Sequence, residues 1–248
     1  VHPEAEADAR DLGAPAADRD LAASAFAPHD RLALQLLQEL EPSGTDGSHD
    51  LSHVLRVWRN AAAIARTEPG CDIELLVGAV ILHDCVAVEK DSPLRPHASR
   101  LAAERARKTV TGLGWSTSRA DALAHAIAAH SFSAGIAPAS LEACILQDAD
   151  RLDAIGAIGI ARCFYVAGRM GSALYDPDDI DAADRSLDDR RFALDHFAAK
   201  LFKVGDGFRT AAGQAEAGER VATMRQFVAA FHGEVEHCFA TEKPGNTL

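Results

Sequence analysis

Cysteine pairs, long apolar runs, aromatic side chains and positive charge are all scarce in this chain of 248 residues. Its five cysteines, Cys71, Cys85, Cys144, Cys163 and Cys238, are odd in number and never form a C-x-x-C pair. That excludes a disulfide framework or a zinc ribbon and predicts reduced, mostly buried thiols. The longest apolar runs, Leu75 to Leu82 and Ala154 to Ala161, have eight residues each, against the roughly 20 needed to span a bilayer. A membrane is therefore not an expected partner. The acidic N-terminal stretch lacks a basic region followed by an apolar segment, so it is not read as a secretory signal, and a cytoplasmic location is expected. With 25 Lys and Arg against 37 Asp and Glu, the formal charge is −12. An excess of that sign repels a phosphate backbone over the Debye length and argues against a nucleic acid polymer as partner. No glycine-rich loop has Walker or Rossmann spacing, and no stretch alternates apolar and polar residues as a half-buried strand would.

What is present is a chain that is 48% hydrophobic with only 6% aromatic residues, the composition of an all-α protein packed through Ala, Leu, Ile and Val. Helical periodicity predicts segments near 30–40, 50–66, 73–84, 97–112, 116–130, 139–152, 155–167, 187–204 and 215–239, separated by Gly, Pro or Ser-rich breaks. Residues 1–28 read as a tail or short peripheral helix, 29–240 as one helical domain, and 241–248 as a C-terminal tail. In the 50–66 segment the stripe Val54, Val57, Trp58, Ala61, Ile64 recurs every three or four positions, and His53 precedes Val57 by one turn, facing inward. The 73–84 segment is apolar on nearly every side, as a central helix is, and ends in His83 and Asp84.

Residues able to bind a divalent cation thus stand close to apolar helical faces at His53, His83, Asp84 and Asp150. An ionised carboxylate in such a place requires a cation, a base or a hydrogen-bond donor. Two imidazoles and two carboxylates form an N2O2 set that is neutral once a divalent ion binds, with positions left for water and a phosphate oxygen; Mn2+, Mg2+, Fe2+ or Co2+ suits it. Adjacent side chains diverge by about 100° on an ideal helix, yet at a last turn His83 and Asp84 can both reach one ion. Helical phase leaves the last carboxylate open: Asp148 continues the Leu141, Cys144, Ile145 stripe, and Asp150 follows Leu146 and Ala149.

The segments SHDLSHVLRV, ILHD, HSFS, DADRLDAIGAIGIAR and LDHFAAKLFK, in this order from about His49 to Glu236, resemble the HD-domain metal-dependent phosphohydrolases. The nearest resemblance is to a bacterial subgroup that includes nucleoside triphosphate pyrophosphohydrolases. It implies a single all-α HD-type domain, one divalent metal ion held by His53, His83, Asp84 and Asp150, and a small phosphate substrate, a nucleotide. It also selects Asp150 over Asp148. Asp150 or Asp50 would accept the proton of the attacking water, with His49 beside the site orienting water.

His49 and His53 in HDLSH mimic a zincin motif, but Gly47 and Ser48 precede His49 at the expected helix start, and Asp50 is too short to do the work of Glu. Lys90, Arg95, Arg151, Lys200 and Lys203 are the cations placed to hold phosphate oxygens, and His130, ending a helix, is placed to touch substrate or a group next to the metal. The acidic stretch from Tyr175 to Asp189 fails as an EF-hand, having Asp181 where Gly is required and Leu187 where Glu is required, and is expected to be a solvated loop. Other readings are a nucleotidase or cyclic-nucleotide phosphodiesterase, a di-iron oxygenase of HD type drawing on His97, His125 and His130, and a non-catalytic nucleotide-binding domain. The sequence is silent on oligomeric state.

Overall fold

The computed structural model describes residues 16–40, 51–86, 88, 92, 94–131 and 134–239, without the side chains of 16–18, 95 and 237–239. The described residues form ten α-helices: α1 (Ala16–Ser24), α2 (Asp30–Gln38), α3 (Leu51–Ala65), α4 (Ile73–Leu82), α5 (Ala98–Gly112), α6 (Thr117–His130), α7 (Leu141–Asp153), α8 (Gly156–Met170), α9 (Phe202–Val204) and α10 (Ala211–Phe239). Among the described residues the only extended pairing is an isolated bridge between Ala173 and Phe192. The expected all-α class is therefore what the chain adopts. No described helix is long and apolar enough to cross a membrane. The chain forms two compact units, one of residues up to Trp58 with Asp72–Glu142, the other of Arg59–Cys71 with Ala143 onward.

In the first unit α4 is the central element, with Leu75 to Leu82 all buried. Each large apolar side chain removed from water there contributes about 1.5–3 kcal/mol. The helix starts where the Asp72 carboxylate accepts from the Leu75 N–H at 2.9 Å, an N-cap that satisfies one of the first turn's orphan donors. Helices α2 and α6 pack on α4. Gly78 permits this closeness, since a Cβ there would lie 2.8 Å from Leu123 Cδ1. Helices α5 and α6 form a hairpin, and α1 rests on α2. On α3 the predicted stripe is buried from Val54 through Trp58. The Trp58 ring stacks on Phe26 at 4.9 Å, and its indole N–H donates to Ala25 O at 2.7 Å.

In the second unit α8 packs on α10, through rings that include Phe164, Phe227 and Phe231 at centroid distances of 5.7 to 6.4 Å. Arg220 of α10 donates to Leu152 O at 2.6 Å and to Asn60 Oδ1 at 3.0 Å, while Asn60 donates to Ala149 O at 3.1 Å. The bond to Leu152 O serves a carbonyl at the end of α7, beyond the reach of the helix's own N–H donors.

Three sequence expectations change. The helix placed over 187–204 begins only near Asp195, continuing as a π-helical segment, Phe197–Leu201, and then α9. Its front portion is tied into turns because the Asp195 carboxylate accepts from the Asp188 N–H at 2.7 Å. The acidic loop is anchored rather than simply solvated. Arg185 bonds Asp195 through both Nη atoms, at 2.6 and 3.0 Å, and places Nε 3.0 Å from Asp176. Of the four cysteines whose side chains are described, none forms a disulfide, and only Cys85 is buried; Cys71, Cys144 and Cys163 are half-buried.

Candidate metal centre

Three helices of the first unit deliver imidazoles to one place. His53 follows from the inward stripe of α3 and is 1% exposed; His83 is the C-cap of α4 and is fully buried. His130 is the last residue of α6 and is buried as well. Both helix-end histidines use the same device. His83 Nδ1–H donates to Val80 O at 2.7 Å, and His130 Nδ1–H donates to Ile127 O at 2.6 Å. A carbonyl only accepts, so each Nδ1 carries the proton and each neutral ring presents its Nε2 lone pair on the opposite side.

Those Nε2 atoms converge on Asp84. Its Oδ2 lies 3.6 Å from His83 Nε2 and 3.9 Å from His53 Nε2, and its Oδ1 lies 3.7 Å from His130 Nε2. The two Nε2 atoms of His53 and His83 are 3.2 Å apart. Ligand atoms on one hexacoordinate ion at about 2.1–2.2 Å stand ~3 Å from their neighbours. The donor set therefore fits a divalent cation of the imidazole and carboxylate kind. Ligand atoms of His83, Asp84 and His130 all lie within 4.8 Å of one another. Asp84, with its side chain 38% exposed, is the member open to solvent.

On α7 the two carboxylates left open by helical phase have different surroundings. Asp148 is fully buried and accepts from the Arg209 N–H at 2.9 and 3.0 Å, the Thr210 N–H at 2.8 Å and the Thr210 hydroxyl at 2.8 Å. It closes the start of α10. Asp150 is half-buried. Arg151 is buried and donates to Gly207 O at 3.1 Å. Burial pulls its guanidinium below the usual Arg range, against the raising effect of Asp148. Lys200 and Lys203 are exposed. Arg95 opens the short 3-10 turn Arg95–His97 with its side chain outside the described set, and His49, Asp50 and Lys90 lie outside the described residues altogether.

Of the histidines considered for a second metal, only His130 enters the cluster. His97 is the exposed N-cap of α5, and His125 Nε2 accepts from the Ala139 N–H at 2.9 Å. Sequence reasoning offered His130 to substrate, to a group next to the metal or to a second metal without choosing among them; its position after a long helical segment was the available signal. Unforeseen too were Thr210, Asn60 and Arg220, whose partners are distant in sequence.

An HD-domain family model matches residues 50–155, which include His53, His83, Asp84 and Asp150. The chain belongs to the HD-domain family. Among curated proteins it is 35% identical over 184 residues, 73% of this chain and 81% of the relative, to the uncharacterized protein YpgQ of Bacillus subtilis (strain 168). The crystal structure of YpgQ in complex with ADP is similar at a TM-score of 0.62 and 28% identity, covering 87% of this chain and 96% of that one. A Bacillus thuringiensis HD-superfamily hydrolase is similar at 0.60 and 29%, covering 88% and 96%.

Proposed function

We propose that this protein is a divalent-metal-dependent phosphohydrolase acting on a phosphate ester or anhydride of a nucleotide, with pyrophosphohydrolysis of a nucleoside triphosphate as the favoured reaction. The observation that carries the reading is the convergence of His53, His83 and His130 on Asp84, with the Nε2 faces of His83 and His130 set by carbonyl acceptors. The hydrolase relative and the ADP complex of YpgQ support its chemical class and its ligand class. The ion's ligands are His53, His83, Asp84 and Asp150, the positions of the HD pattern. A bound divalent ion supplies Lewis acidity toward a phosphoryl oxygen and lowers the pKa of water.

In the favoured reaction, water oxygen forms a bond to the α-phosphorus as the bond to the bridging oxygen breaks in line, and pyrophosphate leaves with the electron pair of that bond. Asp150 or Asp50 accepts the proton lost by water, with His49 orienting that water. Arg151, Lys90, Arg95, Lys200 and Lys203 are the cations assigned to phosphate oxygens.

The test is a substrate panel. The purified protein, loaded in turn with Mn2+, Mg2+, Fe2+ and Co2+, is given nucleoside triphosphates, diphosphates, monophosphates and cyclic nucleotides, with orthophosphate and pyrophosphate assayed separately. Pyrophosphate with a nucleoside monophosphate is the expected product pair. Orthophosphate from monophosphates alone would replace this with a nucleotidase, and binding with no turnover of any compound would leave a nucleotide-binding domain.

A further inference from the structure

The part of α7 that carries Asp150 is held at two backbone carbonyls by one hydrogen-bonded network. Asn60 of α3, half-buried, donates through Nδ2 to Ala149 O at 3.1 Å, and its Oδ1 accepts from Arg220 Nη2 at 3.0 Å. Arg220 of α10 also donates through Nη1 to Leu152 O at 2.6 Å and through Nε to Glu216 Oε1 at 2.8 Å, so every guanidinium nitrogen is engaged. A carbonyl only accepts and a guanidinium only donates, which fixes the Asn60 amide in one orientation between them. An aspartate of the same shape would accept from Arg220 but has no donor for Ala149 O. The backbone accommodates the network: Gly156, at the start of α8, has φ +74°, and a Cβ there would lie 3.0 Å from Arg220 Cγ. Asp150, half-buried, lies between the two held carbonyls. A side chain ends about 5–6 Å from its helix axis, so turning α7 by about 10° would move that carboxylate by ~1 Å. Metal–ligand distances tolerate only about 0.2 Å.

We infer that Asn60 is a positioning residue for Asp150: by joining Ala149 O to Arg220 it fixes the rotation of α7 about its axis, and so where the Asp150 carboxylate stands. The inference rests on the phosphohydrolase reading for one point, that Asp150 is a ligand of the ion. Asn60 itself binds neither ion nor substrate; its effect reaches the metal through Asp150. The bonds of Arg209 and Thr210 to Asp148 hold α7 by a side chain with rotatable bonds of its own, whereas Asn60 holds the helix backbone.

The probe is Mn2+ alone, titrated into the full-length protein with free Mn2+ read from its electron paramagnetic resonance signal. Asn60→Ala and Asn60→Asp are each expected to bind Mn2+ about tenfold more weakly than the parent, the lower end of the range for groups that orient metal ligands. Asn60→Asp is the sharper variant, because it keeps an acceptor for Arg220 and loses only the donor to Ala149 O. A carboxylate added near a cation site would tighten binding by its charge, so weaker binding reports the lost donor. The same two substitutions are then made in Asp150→Ala, where neither should change the affinity that the other ligands retain. Parent-like or tighter binding by Asn60→Asp overturns the positioning role. A tenfold loss that persists in the Asp150→Ala background overturns it as well, since the effect would not pass through that carboxylate. If Asp150→Ala weakens binding while the Asn60 variants bind as the parent does, the positioning role alone fails. If Asp150→Ala itself binds Mn2+ as the parent does, the ligand assignment fails and the positioning role falls with it.

Discussion

Thr210 holds Asp148 twice, through its backbone N–H and its hydroxyl, each 2.8 Å from the same carboxylate oxygen. The start of α10 is thereby joined to α7 two residues before Asp150, where a metal-binding carboxylate is expected. Gly213 belongs to the same lock, because a Cβ there would lie 2.6 Å from Asp148 Oδ2 and 2.8 Å from Thr210 Oγ1.

Asp148→Ala and Asp150→Ala therefore separate structure from metal binding. The first removes a buried acceptor from three donor groups and is expected to cost about 2–3 kcal/mol while leaving metal content intact. The second is expected to lower metal content with little change in the stability of the metal-free protein. Thermal unfolding beside elemental analysis measures both, and the opposite order would transfer the ligand role to Asp148.

His83→Ala or Asp84→Ala should abolish metal binding and hydrolysis while the far-ultraviolet circular dichroism stays helical. His130→Ala is expected to weaken metal affinity by roughly ten- to a hundredfold, the range for a group that supports the ligands from the side. Full metal occupancy at parent affinity in His130→Ala would separate that residue from the site.

Arg151→Ala tests the phosphate assignment. Loss of its charge should reduce hydrolysis by about ten- to a hundredfold with the metal retained, more for a triphosphate than for a monophosphate. Steady-state rates on both substrates decide it; equal turnover to the parent would leave Arg151 a support for the Gly207 carbonyl.

Acid stability depends on Asp195. Burial alone would raise its carboxyl, but the hydrogen bonds from Arg185 and the Asp188 N–H, with the Arg185 charge, hold it below the usual carboxylate range. A depressed folded pKa gives stability that is present above the unfolded value of about 3.9 and is lost as pH falls through the folded one. Asp195→Asn should thus be less stable than the parent at neutral pH, with the difference shrinking below about pH 4. Denaturant titrations at pH 7, 4 and 3 check this; a difference independent of pH would remove the ion pair as its cause.

Burial pushes the thiols of Cys85 and Cys163 up to about 11. Thiolate is the reactive form, so at pH 8 both should alkylate about two orders of magnitude more slowly than a free cysteine in solution. Mass spectrometry of timed iodoacetamide reactions reads each site, and labelling of either at the free-thiol rate would contradict the assignment.

Local pattern determined much of this protein. The spacing of Val54, Val57, Trp58, Ala61 and Ile64 set the inner face of α3, and with it the burial of His53, because a helix repeats every 3.6 residues whatever surrounds it. The uniform apolarity of Leu75 to Leu82 placed α4 at the centre of its unit for a similar reason: such a helix has no face suited to water. Tertiary structure decided what depends on partners far along the chain. Asp148 and Asp150 are equivalent to periodicity, and it is Arg209 and Thr210, 61 and 62 residues on, that commit Asp148 to the start of α10. His130 ends its helix as the pattern predicts, but its approach to Asp84 comes from the packing of α6 on α4. The acidic loop reads as solvated until Arg185 draws Asp176 and Asp195 together. Periodicity reports which face of a helix is buried; which groups meet across that face is set by side-chain geometry between segments, and a one-dimensional pattern does not contain it.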